Sequence, residues 1–238
     1  MLELSHLEEE LLREHFKTES EYNMAIKRLE NREPLAYVIG EWYFYDEKYY
    51  VDSSCLIPRP DTEHLVDYLI KNLPQNAVFA DLCIGSGCIA ISVLAHRKDV
   101  SAIAVDISDQ ALEMARKNSV LNQVSDRITF LHGDILSSNI LNDKKFDAIV
   151  SNPPYIRTSV IDTLAPEVQN EPRIALDGGI DGLDFYKAIF SQYVKNVIDG
   201  GFIAVEIGYD QGDEMKQLFG CSLYKDYGGN DRVAVLML

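Results

Sequence analysis

The sequence predicts an α/β fold, a doubly wound and mostly parallel seven-stranded sheet with a last antiparallel strand and a short N-terminal helical cap. Three observations carry this expectation. Beyond residue 76, short apolar runs alternate with segments of helical period, an order that demands right-handed crossovers between parallel strands. The first of those strands leads into a glycine turn at Gly85, Ser86 and Gly87 that opens a helix. The final strand, residues 233–238, follows Gly228, Gly229 and Asn230 too closely for a crossover, so it must run antiparallel to its predecessor.

With 238 residues, 47% of them hydrophobic and 25% charged, the chain can bury one large core with a small appendage. Residues 1–33 form the cap. They are Glu-rich and helical in period, with Leu4, Leu7 and Leu11 on one stripe and Tyr22, Ala25, Ile26 and Leu29 on another. Thr18 and Glu21 make a capping box for the second helix, since each side chain satisfies an orphan amide at its start. A cap on the main domain and a partner-binding arm fit this segment equally.

Residues 34–75 read as a hairpin and a connector helix. Aromatic and β-branched residues from Tyr37 to Ile57 flank a polar break at Asp46, Glu47 and Lys48. Pro58 and Pro60 hold the chain extended up to Asp61 and Thr62, either of which can cap a helix burying Leu65, Val66, Leu69 and Ile70. The third segment, 76–238, carries strands at 78–81, 102–106, 128–131, 146–151, 202–206, 221–225 and 233–238, with helices at 89–95, 111–121 and 215–219.

A net charge of −16 repels polyphosphate, and the 22 Lys and Arg are scattered, so duplex DNA and bulk RNA are disfavoured partners. The longest run without charged residues or histidine, 82–95, contains the glycine turn and falls short of the ~20 residues that cross a bilayer. Glu3 and Glu8 to Glu10 leave no basic start for a secretory signal, so a cytoplasmic protein is expected. Cys55, Cys83, Cys88 and Cys221 form no C-x-x-C pair, and His6, His15, His64, His96 and His132 have no ligand spacing, which argues against metal and disulfide alike. Cys88, near a helix start, reads as a small space-filling residue. Nothing in the sequence sets the oligomeric state, for which a monomer is the default.

The segment from Asp81 to Ala90 is built for a small molecule, because missing side chains at Gly85 and Gly87 let a ligand approach the backbone. Asp106 ends the next strand, about 20 residues on, where its carboxylate can accept from two vicinal ribose hydroxyls. NAD and S-adenosylmethionine share that requirement. Asp134, after the third strand, is placed to accept from an adenine amino group or to cap a helix. Asp81 puts an acid just before the turn, where a cation is better served than a pyrophosphate, which favours S-adenosylmethionine.

Ser151, Asn152, Pro153, Pro154 and Tyr155 directly follow the fourth strand, and in an open sheet the loops after strands one and four face each other across the switch point. A planar amino group is a poor nucleophile, because its lone pair is delocalised. The Asn152 side-chain carbonyl and the Pro153 backbone carbonyl can each accept one of its N–H groups, aiming the nitrogen at a sulfonium methyl. Tyr155 can stack on the flat amide or base, and the methylated nitrogen is acidic enough to need no strong base.

On these residues the chain resembles the class I, Rossmann-like S-adenosylmethionine methyltransferases that modify glutamine amides, above all the peptide chain release factor glutamine methyltransferases. The likeness runs over residues 33–238. It passes through Glu33, Pro34, Tyr37, Gly40 and Trp42, then LIPRPDTE from Leu56 to Glu63, the Asp81 to Ala90 turn and NPPYI from Asn152 to Ile156. It continues through Glu171, Pro172, Ala175 to Gly182, Leu183 and Tyr186, and late through Gly201, Glu206, Gly208, Gln211, Asp226, Gly228 and Arg232. NPPY is shared with adenine N6 methyltransferases, whereas LIPRPDTE with the EP and AL-x-GG-x-DGL runs is far more specific.

The resemblance implies S-adenosylmethionine at Cys83, Ile84, Gly85, Ser86, Gly87, Asp106, Ile135 and Asn152, and the substrate glutamine at Asn152, Pro153, Pro154 and Tyr155. It implies methylation of the Gly-Gly-Gln loop of class 1 release factors, a protein methylation in translation termination. Cys83 and Ile84 stand where the family commonly has Gly and Thr, Ile135 replaces a frequent aromatic, and the helical N-terminal region is shorter than usual. A ribosomal-protein glutamine, an adenine of nucleic acid and a non-catalytic cofactor-binding scaffold are the alternative readings.

Overall fold

In the computed structural model, residues 4–238 are described; Met1 to Glu3, part of the expected cap, lie outside the described residues. Two capping boxes start the chain. Ser5 with Glu8 opens α1 (His6–His15), and Thr18 with Glu21 opens α2 (Glu19–Glu30), each pair exchanging side-chain bonds to the other's amide. The buried contacts between them come from Leu12, Ala25 and Leu29, with Val38. Leu7 of the expected stripe is exposed, because α1 turns Leu12 and the following Phe16 toward α2.

Tyr37 lies in a short helix, α3 (Leu35–Ile39), rather than in a strand, because Pro34 starts a turn that Gly40 ends at φ 82°. β1 (Glu41–Phe44) then pairs antiparallel with β2 (Glu47–Tyr50). The turn is Tyr45 and Asp46, so the expected polar break falls too late. Glu47 and Lys48 belong to β2 because they have partners there, the Ser92 hydroxyl at 2.7 Å and the Glu41 carboxylate at 2.9 Å.

After the 3₁₀ turn Pro60–Thr62 comes α4 (Glu63–Asn72), which buries Leu65, Val66 and Leu69 and leaves Ile70 half-buried. Neither Asp61 nor Thr62 caps it. Both side chains are drawn into the site described below.

The remaining elements are β3 (Val78–Leu82), α5 (Cys88–His96), β4 (Ser101–Asp106), α6 (Asp109–Leu121), β5 (Ile128–His132), β6 (Phe146–Ser151), α7 (Thr158–Ile161), α8 (Pro166–Gln169), α9 (Asp184–Ala188), β7 (Val197–Glu206), α10 (Gly212–Phe219), β8 (Ser222–Lys225) and β9 (Asp231–Met237). They build a seven-stranded sheet in the order β5-β4-β3-β6-β7-β9-β8. β9 alone runs against the others, pairing antiparallel with both β7 and β8, as the tight turn before it requires.

Alternation along the strands divides the core. Phe79, Ala104, Val150 and Ala204 face α4, α5 and α6, while Leu82, Val105, Ile149 and Val205 face the side of α9 and α10. α5 is apolar all round and nearly wholly buried, as a helix pressed against a sheet and flanked by two others must be. The order of strands reverses between β3 and β6, whose register pairs Leu82 with Ser151. Cys83 and Asn152 are therefore the first residues beyond two adjacent strand ends.

Candidate active site

A cavity of about 200 Å³ opens at the carboxyl ends of β3, β4, β5 and β6. The β3 end contributes Cys83 and Gly85, the β4 end Asp106 and Ile107, the β5 end Asp134 and Ile135, and the β6 end Asn152 and Pro154. Of the residues expected from sequence, these seven are brought together: Cys83, Gly85, Asp106, Asp134, Ile135, Asn152 and Pro154. Asp81, Ile84, Ser86, Gly87, Pro153 and Tyr155 do not line the cavity.

For Asp81, Ser86, Gly87 and Ile84 the absence has a local cause. Asp81 lies on the face of β3 that meets α5, where one carboxylate oxygen accepts the Ala90 N–H at 3.1 Å and the other is buried without a partner. Burial, with a smaller push from the Asp106 charge, raises its pKa well above the carboxylate range. It underpins the turn and does not face a cation in the cavity. Ser86 offers its carbonyl to Asn118 of α6 at 2.8 Å, and the same Asn118 side chain bonds both N–H and C=O of Tyr50, so the hairpin is tied to the glycine turn. Gly87 packs against α5: a Cβ there would come within 2.6 Å of Ile91 Cδ1. Ile84 is buried in the core that includes α5.

Asp106 is placed by the turn itself. Its two oxygens accept the amides of Gly85 and Ser108, each at 2.9 Å, while burial pushes its pKa up against that pull. Asp134 takes the Leu136 amide at 2.8 Å and the Ser137 hydroxyl, so it caps the turn after β5 and lines the cavity at once. Its pKa is lowered by Ser137 first and the turn amide next. Cys83 adopts φ 62°, left-handed backbone that favours glycine, and its thiol is pushed well up by burial. At Gly85, with φ 54°, a Cβ would meet nothing within 4 Å, which leaves the backbone open to a ligand.

Asn152 is held from one side. Its Nδ2 donates to Thr62 Oγ1 at 3.1 Å, and Oδ1 has no hydrogen-bond partner among the described residues. Behind it stands a buried polar group that sequence reading took only from family resemblance. Tyr155 donates to Glu206 Oε1 at 3.3 Å, so its ring is anchored at the end of β7. Burial pushes the Glu206 carboxyl up to about 7, against the pull of Thr62, Arg232 and Tyr155. Arg232 is paired in turn with Asp61 at 3.0 Å and Asp226 at 3.2 Å.

The late glycine run buttresses the same loop. Ile156 bridges Asp177, and Cβ atoms at Gly178 and Gly182 would run into the Tyr155 backbone. Gln211 donates to the carbonyls of Tyr155 and Gly182, both at 3.1 Å. Glu171, nearly fully buried, accepts the Ile57 N–H at 3.0 Å and pairs with Arg59, which joins the LIPRPDTE and EP segments in space. Pro172, Ile174 and Ala175 thereby reach the cavity wall with Ser54, Cys55 and Leu56. Ile107, Ser108, Leu136 and Phe185 carry no chemical motif, and only the folded chain brings them to the cavity.

The family model described as "Methyltransferase small domain" matches residues 61–173. The ribosomal protein L11 methylase of Lactobacillus delbrueckii subsp. bulgaricus superposes with a TM-score of 0.52 at 22% identity, covering 75% of this chain and 80% of that one. TrmN from Thermus thermophilus does so at 0.51 and 20%, over 73% and 47%. These two likenesses speak for the fold alone. Among relatives by sequence, the release factor glutamine methyltransferase of Caulobacter vibrioides is 40% identical over 95% of this chain and 80% of its own length, and that of Aquifex aeolicus 37% identical over the same shares. Together with the motifs gathered around one cavity, these likenesses mean that the chain belongs to the release factor glutamine methyltransferase family.

Proposed function

We propose that this chain transfers the methyl of S-adenosylmethionine to the side-chain amide nitrogen of a glutamine in a class 1 release factor, at its Gly-Gly-Gln loop. The observation that carries this reading is the Asn152 carboxamide, whose nitrogen is committed to Thr62 and whose oxygen is thereby left as an acceptor. An acceptor at that point suits a substrate that arrives as an N–H donor.

The cavity residues fit the donor molecule. Asp106 offers a carboxylate, Gly85 an open backbone, and Ile107, Ile135 and Leu136 apolar walls for a flat base. Asp106 would hold the ribose and Asp134 the adenine amino group. When bound, the cofactor supplies an electrophilic methyl on sulfur.

The chain's own residues do the rest. Asn152 Oδ1 and the Pro153 carbonyl accept the two amide N–H groups, which orients the nitrogen and stabilises positive charge as it develops there. Pro153 and Pro154 fix the backbone of that acceptor. Tyr155, tied to Glu206, keeps the loop in place. No side chain has to act as a strong base, because the methylated nitrogen loses its proton readily to water.

Replacing Asn152 with Ala should lower turnover at least about a hundredfold while cofactor affinity persists. Mass spectrometry of a release factor incubated with labelled cofactor tests this directly. A methyl on the Gly-Gly-Gln peptide supports the reading, and a methyl found on nucleic acid or a ribosomal protein instead refutes it.

A further inference from the structure

We propose that the β1–β2 hairpin is part of the cofactor site, and that Asn118 of α6, which ties the hairpin to the glycine turn, is a positioning residue for S-adenosylmethionine. The proposal rests on the reading of the cavity at Gly85 and Asp106 as the place where that cofactor binds.

Asn118 is wholly buried, so its carboxamide must find partners inside the protein. Oδ1 accepts the Tyr50 N–H at 2.7 Å, and Nδ2 donates to the Tyr50 carbonyl at 3.0 Å and to the Ser86 carbonyl at 2.8 Å. Its way round is thereby set. Only the oxygen can take an N–H, and only the NH₂ can serve two carbonyls. The hairpin end of this link is firm. β1 pairs with β2 from Glu41 to Phe44, Tyr49 is buried in the core, and Asn122, one turn further along α6, donates to the Lys48 carbonyl at 2.9 Å.

The turn end is where support is needed. Cys83, Gly85 and Gly87 all adopt positive φ, at 62°, 54° and 88°, a conformation that no regular element enforces. Ser86 lies between the two glycines, and fixing its carbonyl fixes the peptide plane that joins it to Gly87 and limits the swing of Gly85. Gly85 lines the cavity, and its N–H donates to Asp106 at 2.9 Å, so the turn also holds that carboxylate. Without Asn118 the cofactor itself would have to order the turn, which lowers affinity. The chemistry would be spared, because Asn152 and Pro153 stand on a different loop, where Asn152 is held by Thr62.

The test uses the full chain and compares wild type with Asn118→Asp, Asn118→Ala and Asn122→Ala. Asn118→Asp keeps an acceptor for Tyr50 but loses both donors, whereas Asn122→Ala loosens the hairpin without removing a bond to the turn. Calorimetric titration should show the Kd for S-adenosylmethionine rising at least about tenfold in both Asn118 variants, while kcat at saturating cofactor and KM for a release factor stay within about threefold. In Asn122→Ala the melting temperature should fall while the Kd stays within about twofold. By reciprocity, S-adenosylmethionine should slow amide hydrogen exchange over residues 41–51 of the wild type at least about threefold and leave α1 and α2 unchanged. Folded Asn118 variants that bind the cofactor within about twofold of wild type would overturn the proposal, as would an Asn122→Ala enzyme that binds it as weakly as Asn118→Ala. If neither Asn118 variant folds, the exchange measurement decides, and a hairpin left unprotected by the cofactor overturns the proposal. A wild type that binds no S-adenosylmethionine removes the underlying reading, whereas one that binds it, with variants that bind it equally, refutes this step alone.

Discussion

A methyl group added at Gly85, which lines the cavity, would touch no protein atom within 4 Å. Gly85→Ala should therefore fold, at a cost of about 1 kcal/mol for an L residue at φ 54°, while its affinity for S-adenosylmethionine falls more than about tenfold. Calorimetric titration and a melting curve separate the two effects. Gly85 was legible in the sequence because a glycine turn after a strand has one strong use. Asp81 was not. An acid before such a turn looks like a ligand for a cation, but β3 presents it to the α5 side of the sheet, where its partner is the Ala90 amide. Strand parity decides that orientation, and parity depends on which residue pairs with which neighbour.

At the scale of elements, the two most specific motifs were visible as letters but not as a structure. LIPRPDTE and the EP pair lie far apart in sequence, and Glu171 joins them through the Ile57 amide and Arg59. Glu171→Ala leaves a buried N–H and a guanidinium without their acceptor, so the urea midpoint at neutral pH should shift by roughly 2 kcal/mol. The glycine run 178–182 is explained by contact: Gly178 lies so close to the Tyr155 backbone that a Cβ would approach its Cα to 2.6 Å. Gly178→Ala should push the Asn152 to Tyr155 loop aside and lower kcat with much less effect on cofactor affinity, since Gly178 does not line the cavity. The hairpin shows the limit of local patterns. Polarity at Glu47 and Lys48 suggested a turn, whereas Ser92 and Glu41 satisfy them inside a strand.

Across the whole molecule, buried carboxyls couple folding to pH. Glu206 is held up to about 7 and Asp81 well above its ordinary range, so the native state binds more protons than the unfolded chain between the carboxylate range and neutrality. Their contribution to stability is whole below the unfolded pKa and is lost as pH rises through the folded one. Stability should decline from about pH 5.5 to about pH 8, and Glu206→Gln should flatten that decline by on the order of 2 kcal/mol. Urea titrations at the two pH values measure it.

The sequence by itself determined the alternation of strands and helices, the single antiparallel strand, the glycine turn and the Asn152 to Tyr155 loop, because hydrophobic period, tight turns and proline constraints act over a few neighbouring residues. Tertiary structure alone decided that Asp61 and Thr62 leave the end of α4, that Thr62 turns the Asn152 carboxamide, and that Glu206 and Arg232 lie behind it. Those choices join α4, β7 and β9 with the loop after β6. They arise from burying polar groups that must find partners wherever the packed chain supplies them, which no local pattern encodes.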